Sequence, residues 1–167
     1  RITIANLDHD EAVRVTSPEK LAAMPPAFGG LAEQYAHALS GRTLDPRMSV
    51  ANAPPMTDGA GLAAIGGAKS FLSPRARVVA FAEAGADARQ SLTAGFAAMD
   101  KVLEQAGLSL DQMDRIEFME AFAVPYALFR RNYQPDMDKV NVSGGHIAKG
   151  HPMGATGAIL LSTLLDA

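Results

Sequence analysis

Apolar positions along the chain come in short groups separated by Pro and Gly, and their spacing changes from segment to segment. Leu92, Phe96, Met99, Leu103 and Ala106 fall four and three residues apart. That is one face of a helix, and Gly107 is placed to stop it. Thr16-Ser17-Pro18 gives a start signal, so the pattern predicts a short helix running to Met24 and ending at Pro25-Pro26. A second short amphipathic helix is predicted over 31–40, followed by a loop over 42–47. Met48 to Ala51 reads as a strand running into a rigid turn at Asn52-Ala-Pro54-Pro55. Leu62 to Ile65 fits either a buried strand or a helical segment, which periodicity alone does not separate. Arg77 to Ala82 reads as a buried strand and Arg115 to Phe118 as another, with Ser109 to Gln112 a capping box around one turn between them. Glu120 to Tyr133 reads as a helix that tolerates Pro125 only in its first turns. Lys139 to Val142 follows as a strand, Ser143 to Gly150 as a glycine-rich loop, and Pro152 to Leu165 as a helix. From Arg77 onward strand and helix alternate, which implies an α/β sheet with helices on its faces. The predicted division is a lead-in segment, residues 1–47, and a main domain, residues 48–167.

Composition narrows the functional classes. Fifteen basic against eighteen acidic residues give a net charge of −3, which disfavours a nucleic-acid partner. No apolar run reaches the roughly 18 residues that span a bilayer, and no signal peptide is visible, so the expected location is the cytoplasm. There is no cysteine, so the chain offers no disulfide, thiolate ligand or cysteine nucleophile. It begins at Arg1 and stops inside an apolar helical pattern at Leu164-Leu165-Asp166-Ala167, which leads to the expectation that both ends are cut.

Three segments carry candidate chemistry. In Val140-Asn-Val-Ser-Gly-Gly-His-Ile-Ala-Lys-Gly-His-Pro-Met-Gly-Ala-Thr-Gly-Ala158, Gly144-Gly145 permits close approach of backbone to a ligand, and His151 precedes a proline that favours a helix start. A neutral histidine at a helix N-terminus can donate to a developing anion. On these residues alone, a glycine loop with a capping histidine is an equally good reading. Ile116-Glu-Phe-Met-Glu-Ala-Phe-Ala123 lies at a strand-to-helix junction, where open α/β sheets place ligands. Glu117 and Glu120 there can act as a carboxylate pair, though a strand-end charge and a first-turn acid describe them better. Val50 to Ala60, with its Asn, Pro and Asp-Gly signals, reads by itself as a structural turn. His9 and His37 read as ordinary surface or loop residues.

In this order the three segments resemble the C-terminal half of thiolases. The stretches that carry the likeness are Ala51 to Ala60, Met119 to Ala123 and Ser143 to Gly157, and Pro25-Pro26-Ala27-Phe28 resembles the family's lead into that half. The resemblance implies a layered α/β/α half with a mixed sheet, incomplete at its C-terminus. It implies acyl transfer on acyl-CoA thioesters, either Claisen condensation or thiolytic cleavage of a 3-ketoacyl-CoA. Coenzyme A thioester is then the substrate, with no covalently bound cofactor and no metal. The implied partners are the N-terminal half that carries the cysteine nucleophile and further copies of the protein in a homo-oligomer. Without that half, the 167 residues are expected to be inactive. Carried over position by position, His151 is the implied catalytic residue, and Met119 stands where the family has a catalytic Asn. Ala53, Pro54, Ala121, Phe122, Gly144, Gly145 and Gly150 are the implied substrate and coenzyme A contacts.

The chain also departs from the family pattern. Met119 has only a weak thioether acceptor. Pro54 replaces a Ser and Ser143 an Asn, His146 and Lys149 are unusual, and Leu31 to Arg47 looks like an insertion. The alternative these changes raise is a non-catalytic relative that binds coenzyme A or a partner chain.

Overall fold

Ser17 accepts a hydrogen bond from the Lys20 amide and starts α1, Pro18–Ala22, as its capping signal predicts. The structure, a computed structural model, describes residues 9–70, 73–90 and 92–167; residues 1–8 of the lead-in segment lie outside the described residues. The amphipathic stretch after Gly30 divides into α2, Leu31–Gln34, and a 3-10 turn, Ala36–Leu39. The Ala27 amide donates to the Met48 carbonyl, tying the start of the chain to the turn that follows Met48.

The helices packed around the aromatic core are α3, Ala94–Ala106, and α4, Ala123–Tyr133. Gly107, at φ 66°, takes the left-handed conformation that closes α3. Phe96, Met99, Leu103 and Ala106 lie half-buried on α3 as their spacing predicts, whereas Leu92 falls outside the helix at φ 66° and is exposed. Pro125 is the third residue of α4, where its missing amide proton costs no helical bond. The core is aromatic. Phe129 is fully buried and stacks on Phe118 at a ring separation of 4.7 Å. Phe96 of α3 lies 5.6 Å from Tyr133 of α4, whose hydroxyl reaches Asp100. Phe118 thereby joins both helices to the segment that leads into the candidate site.

The expected mixed sheet is not built among the described residues. Two isolated parallel bridges replace it, Ile116 to Val140 and Met56 to His151. The first is cut short because Asn141, at φ 47°, turns the chain out of the extended path after one pair. Arg77 to Ala82 forms no strand, and Val78, Val79 and Phe81 are exposed rather than buried. An apolar strand is buried only between neighbours, and no bridge to this one occurs among the described residues. Leu62 to Ile65 likewise forms neither strand nor helix and is exposed.

Three boundaries differ from the sequence reading for local reasons. The strand expected at Met48 to Ala51 is a 3-10 turn, Val50–Asn52, because Ser49 and Asn52 form a capping box that competes with extension. The glycine-rich loop contains a single helical turn, α5, His146–Lys149. The last helix does not start at Pro152. Met153 sits at φ 46°, a 3-10 turn runs over Met153–Ala155, and α6 spans Thr156–Asp166. No helix among the described residues is long and apolar enough to cross a membrane.

Candidate functional site

Asn141 organises the site. Its left-handed backbone is one that Asn adopts more readily than most residues. Its side-chain amide then takes over the pairing that its backbone has given up. Oδ1 accepts from the Phe118 amide at 2.7 Å, and Nδ2 donates to the Phe118 carbonyl at 3.1 Å. The Asn141 amide therefore extends the Ile116–Val140 bridge by one residue. Nδ2 also donates to Glu120 Oε1 at 2.8 Å.

Glu120 is buried, and its second oxygen accepts the Ile147 amide of α5 at 3.1 Å. One carboxylate thus fastens the 116–120 segment, the end of the 139–141 segment and the glycine loop to each other. Gly145 is what allows it: a Cβ there would overlap the Glu120 carboxylate. Glu120 is not a first-turn acid of a helix, since α4 begins only at Ala123. Glu117 is partly buried, and that burial holds its carboxyl above the ordinary range against the pull of Lys149.

His151 is anchored at two points. Its amide donates to the Pro55 carbonyl at 2.9 Å, and this bond with the Met56 bridge attaches the 53–57 turn to the loop. Its ring Nδ1 lies 2.8 Å from Oγ1 of Thr156, a fully buried first residue of α6. That bond occupies Nδ1 and leaves Nε2 for another partner. His151 is thus not the N-terminal cap of the helix, because Ala155 holds that position. Gly150, buried at φ 109°, lets the loop pass against Thr57, whose Oγ1 would stand 2.6 Å from an added Cβ.

The remaining expected residues are placed unevenly. Ala53 and Pro54 are half-buried in the turn that anchors His151. Gly144 is exposed at φ 92° and, with Gly150, His146 and Lys149, lines a cavity of about 230 Å³. Ala121 is half-buried; Phe122 and Met119 are exposed, and neither meets the His151 ring in an aromatic contact or hydrogen bond among the described residues.

His146, which sequence reasoning noted only as unusual, is buried beside His151, with ring centroids 5.8 Å apart and planes inclined at 76°. Burial pushes its pKa below the ordinary histidine value; His151 and Lys149 push the same way, and Glu120 opposes them. Asn141 and Thr156 are not singled out by the sequence reading, and Glu120 is weighed there only as half of a carboxylate pair or as a first-turn acid. Their signals were an Asn ahead of a glycine pair, an acid within a strand-to-helix motif, and a hydroxyl five residues after the histidine. No group of three His, Asp or Glu side chains able to hold a metal ion occurs among the described residues.

The C-terminal domain of thiolases matches this chain over residues 72–167. The chain is 40% identical over 144 residues to an acetyl-CoA acetyltransferase of Allochromatium vinosum, covering 84% of this chain and 36% of that protein. It is 33% identical over 154 residues to the human mitochondrial 3-ketoacyl-CoA thiolase, covering 90% of this chain and 35% of that one. Among solved structures, the Bacillus anthracis acetyl-CoA acetyltransferase superposes with a TM-score of 0.75 at 32% identity, over 93% of this chain and 37% of the other. The chain thus spans little more than a third of the length of these relatives.

Proposed function

The chain belongs to the thiolase family, and on that premise we propose that it is the C-terminal portion of an acyltransferase acting on acyl-CoA thioesters. The observation that carries the reading is the anchoring of His151. Thr156 Oγ1 holds Nδ1, the Pro55 carbonyl holds the backbone, and Nε2 remains for chemistry. The threonine hydroxyl can donate to Nδ1 or accept from it, so the ring can offer Nε2 either as a proton donor or as a base. As a base, Nε2 takes the proton of a thiol; the thiolate attacks the thioester carbonyl, the carbon–sulfur bond to coenzyme A breaks, and the departing coenzyme A sulfur takes the proton back from Nε2. As a donor, Nε2–H stabilises the oxygen that becomes negative during the attack.

The thiol comes from outside these 167 residues, which contain none. In this reading an N-terminal half supplies it, and the exposed apolar segments at 62–65 and 77–82 pair into a sheet only when that half is present. The turn at Ala53-Pro54, the Ala121-Phe122 junction and the backbone of Gly144, Gly145 and Gly150 form the side on which the coenzyme A thioester lies.

The test is His151→Ala in the complete protein, with thiolytic cleavage of acetoacetyl-CoA as the measurement. Folding and coenzyme A binding are expected to persist while turnover falls at least about a hundredfold. An unchanged rate would remove His151 from the chemistry. The second reading, a non-catalytic binder of coenzyme A or of a partner chain, draws on Met119, an exposed thioether at a position where a strong hydrogen-bonding group would serve catalysis. It is selected if the unmodified complete protein binds coenzyme A and cleaves nothing.

A further inference from the structure

His146 has an environment that the proposed mechanism does not use. It opens α5, directly after the glycine that packs on Glu120, and only 6% of its surface is accessible. Its Nδ1 is sealed and has no hydrogen-bond partner among the described residues. A proton on that nitrogen would be a buried orphan donor, which is rarer in folded proteins than an unsatisfied acceptor. The imidazolium needs a proton on both nitrogens, so geometry favours a neutral ring with its proton on Nε2. The charged and titratable groups around the ring are Glu120, Lys149 and His151. Of these, Glu120 is the one that favours a cation, and its two oxygens are already taken by Asn141 and Ile147.

The neighbour that this neutral ring touches is His151, 5.8 Å away and close to perpendicular. Edge-to-face contact at that separation is a favoured arrangement of two rings. Rotation of the His151 ring about its Cβ–Cγ bond would carry Nδ1 away from Thr156, and the His146 ring packs against that same imidazole.

We infer that His146 is a positioning residue for His151: its uncharged ring packs edge-on against the His151 imidazole and holds that ring in the orientation bonded to Thr156. The inference rests on the functional reading of His151 above.

The experiment uses the complete protein with two readouts. The first is the tautomer of His151, read from the ring 15N shifts of histidine-labelled protein. The second is kcat and KM for acetoacetyl-CoA cleavage as a function of pH. His146→Ala removes the ring, His146→Leu fills its volume without one, and His146→Phe restores an edge-on ring without nitrogens. In the unmodified protein His151 is expected to show one tautomer. The Ala and Leu variants should show averaged tautomers and a kcat lower by about tenfold or more, the scale of a misplaced reacting group, with KM nearly unchanged. Phe should recover most of that loss and return the single tautomer. The Leu variant decides the point if the Ala variant does not fold. The inference is overturned if Ala and Leu leave both tautomer and kcat unchanged, or if Phe is as impaired as Leu, which would assign the effect to a nitrogen. An unmodified protein that cleaves no thioester defeats the functional reading alone, and the 15N tautomers still decide the role of His146.

Discussion

Three hydrogen-bonding side chains and one bare imidazole do most of the work at the residue scale. Asn141, Glu120 and Thr156 each satisfy groups on separate segments, whereas His146 is buried with one ring nitrogen that finds no partner among the described residues. That contrast fixes a pH dependence. The folded-state pKa of His146 lies below its ordinary value of 6.5, so at mildly acidic pH the unfolded chain binds a proton that the folded chain refuses. Stability from this group is therefore fully present above about pH 6.5 and is lost as the pH falls below it. The urea midpoint of the protein should drop between about pH 7.5 and 5, and by less in His146→Phe than in the parent. Parallel curves for the two proteins would show that His146 is not buried in its neutral form.

Among the elements, the 116–120 segment matters more than its length suggests. It has one backbone bridge, to Val140, and relies on the Asn141 side chain for the next pair. Phe118 on the same segment stacks against Phe129 of α4, so this pairing also sets the register between core and glycine loop. Asn141→Ala removes both bonds to Phe118, frees the Glu120 carboxylate and leaves a left-handed alanine. The expected cost is about 2–4 kcal/mol, from unsatisfied buried groups and backbone strain together. Chemical denaturation measures it, with Asn141→Gly separating the strain from the lost bonds. A loss below about 0.5 kcal/mol, the range of a neutral surface change, would mean that the side-chain amide does not extend the bridge.

The whole molecule has a small core and a large exposed apolar surface. Phe129 and Val140 are the buried hydrophobic residues among those described, whereas Leu62 is 93% and Phe81 78% exposed. An extended apolar segment with unpaired backbone groups is a template for pairing with another chain. The isolated 167 residues should therefore self-associate, with an apparent mass that rises with concentration in light scattering. A single monomeric mass across a wide concentration range would show that these segments find cover within the chain itself.

Local rules made much of this protein legible before any coordinates. The stop at Gly107, the capped turn at Ser109 to Gln112, the helical face of Phe96, Met99 and Leu103, and the tolerance of Pro125 all depend on residues within a turn or two of each other. The glycine and histidine motif was legible for a related reason: a close backbone approach needs glycine at fixed positions, and that spacing is written in the chain. Tertiary structure alone decided the rest. Whether Arg77 to Ala82 pairs or lies bare depends on what stands beside it, which hydrophobicity does not encode. The burial of Glu120 against Gly145, the second anchor of His151 at Pro55, and the contact of His146 with His151 join segments through folding in three dimensions. Apolar spacing reports which face of an element is turned inward. It carries no record of which polar group waits there, and that pairing shapes this site.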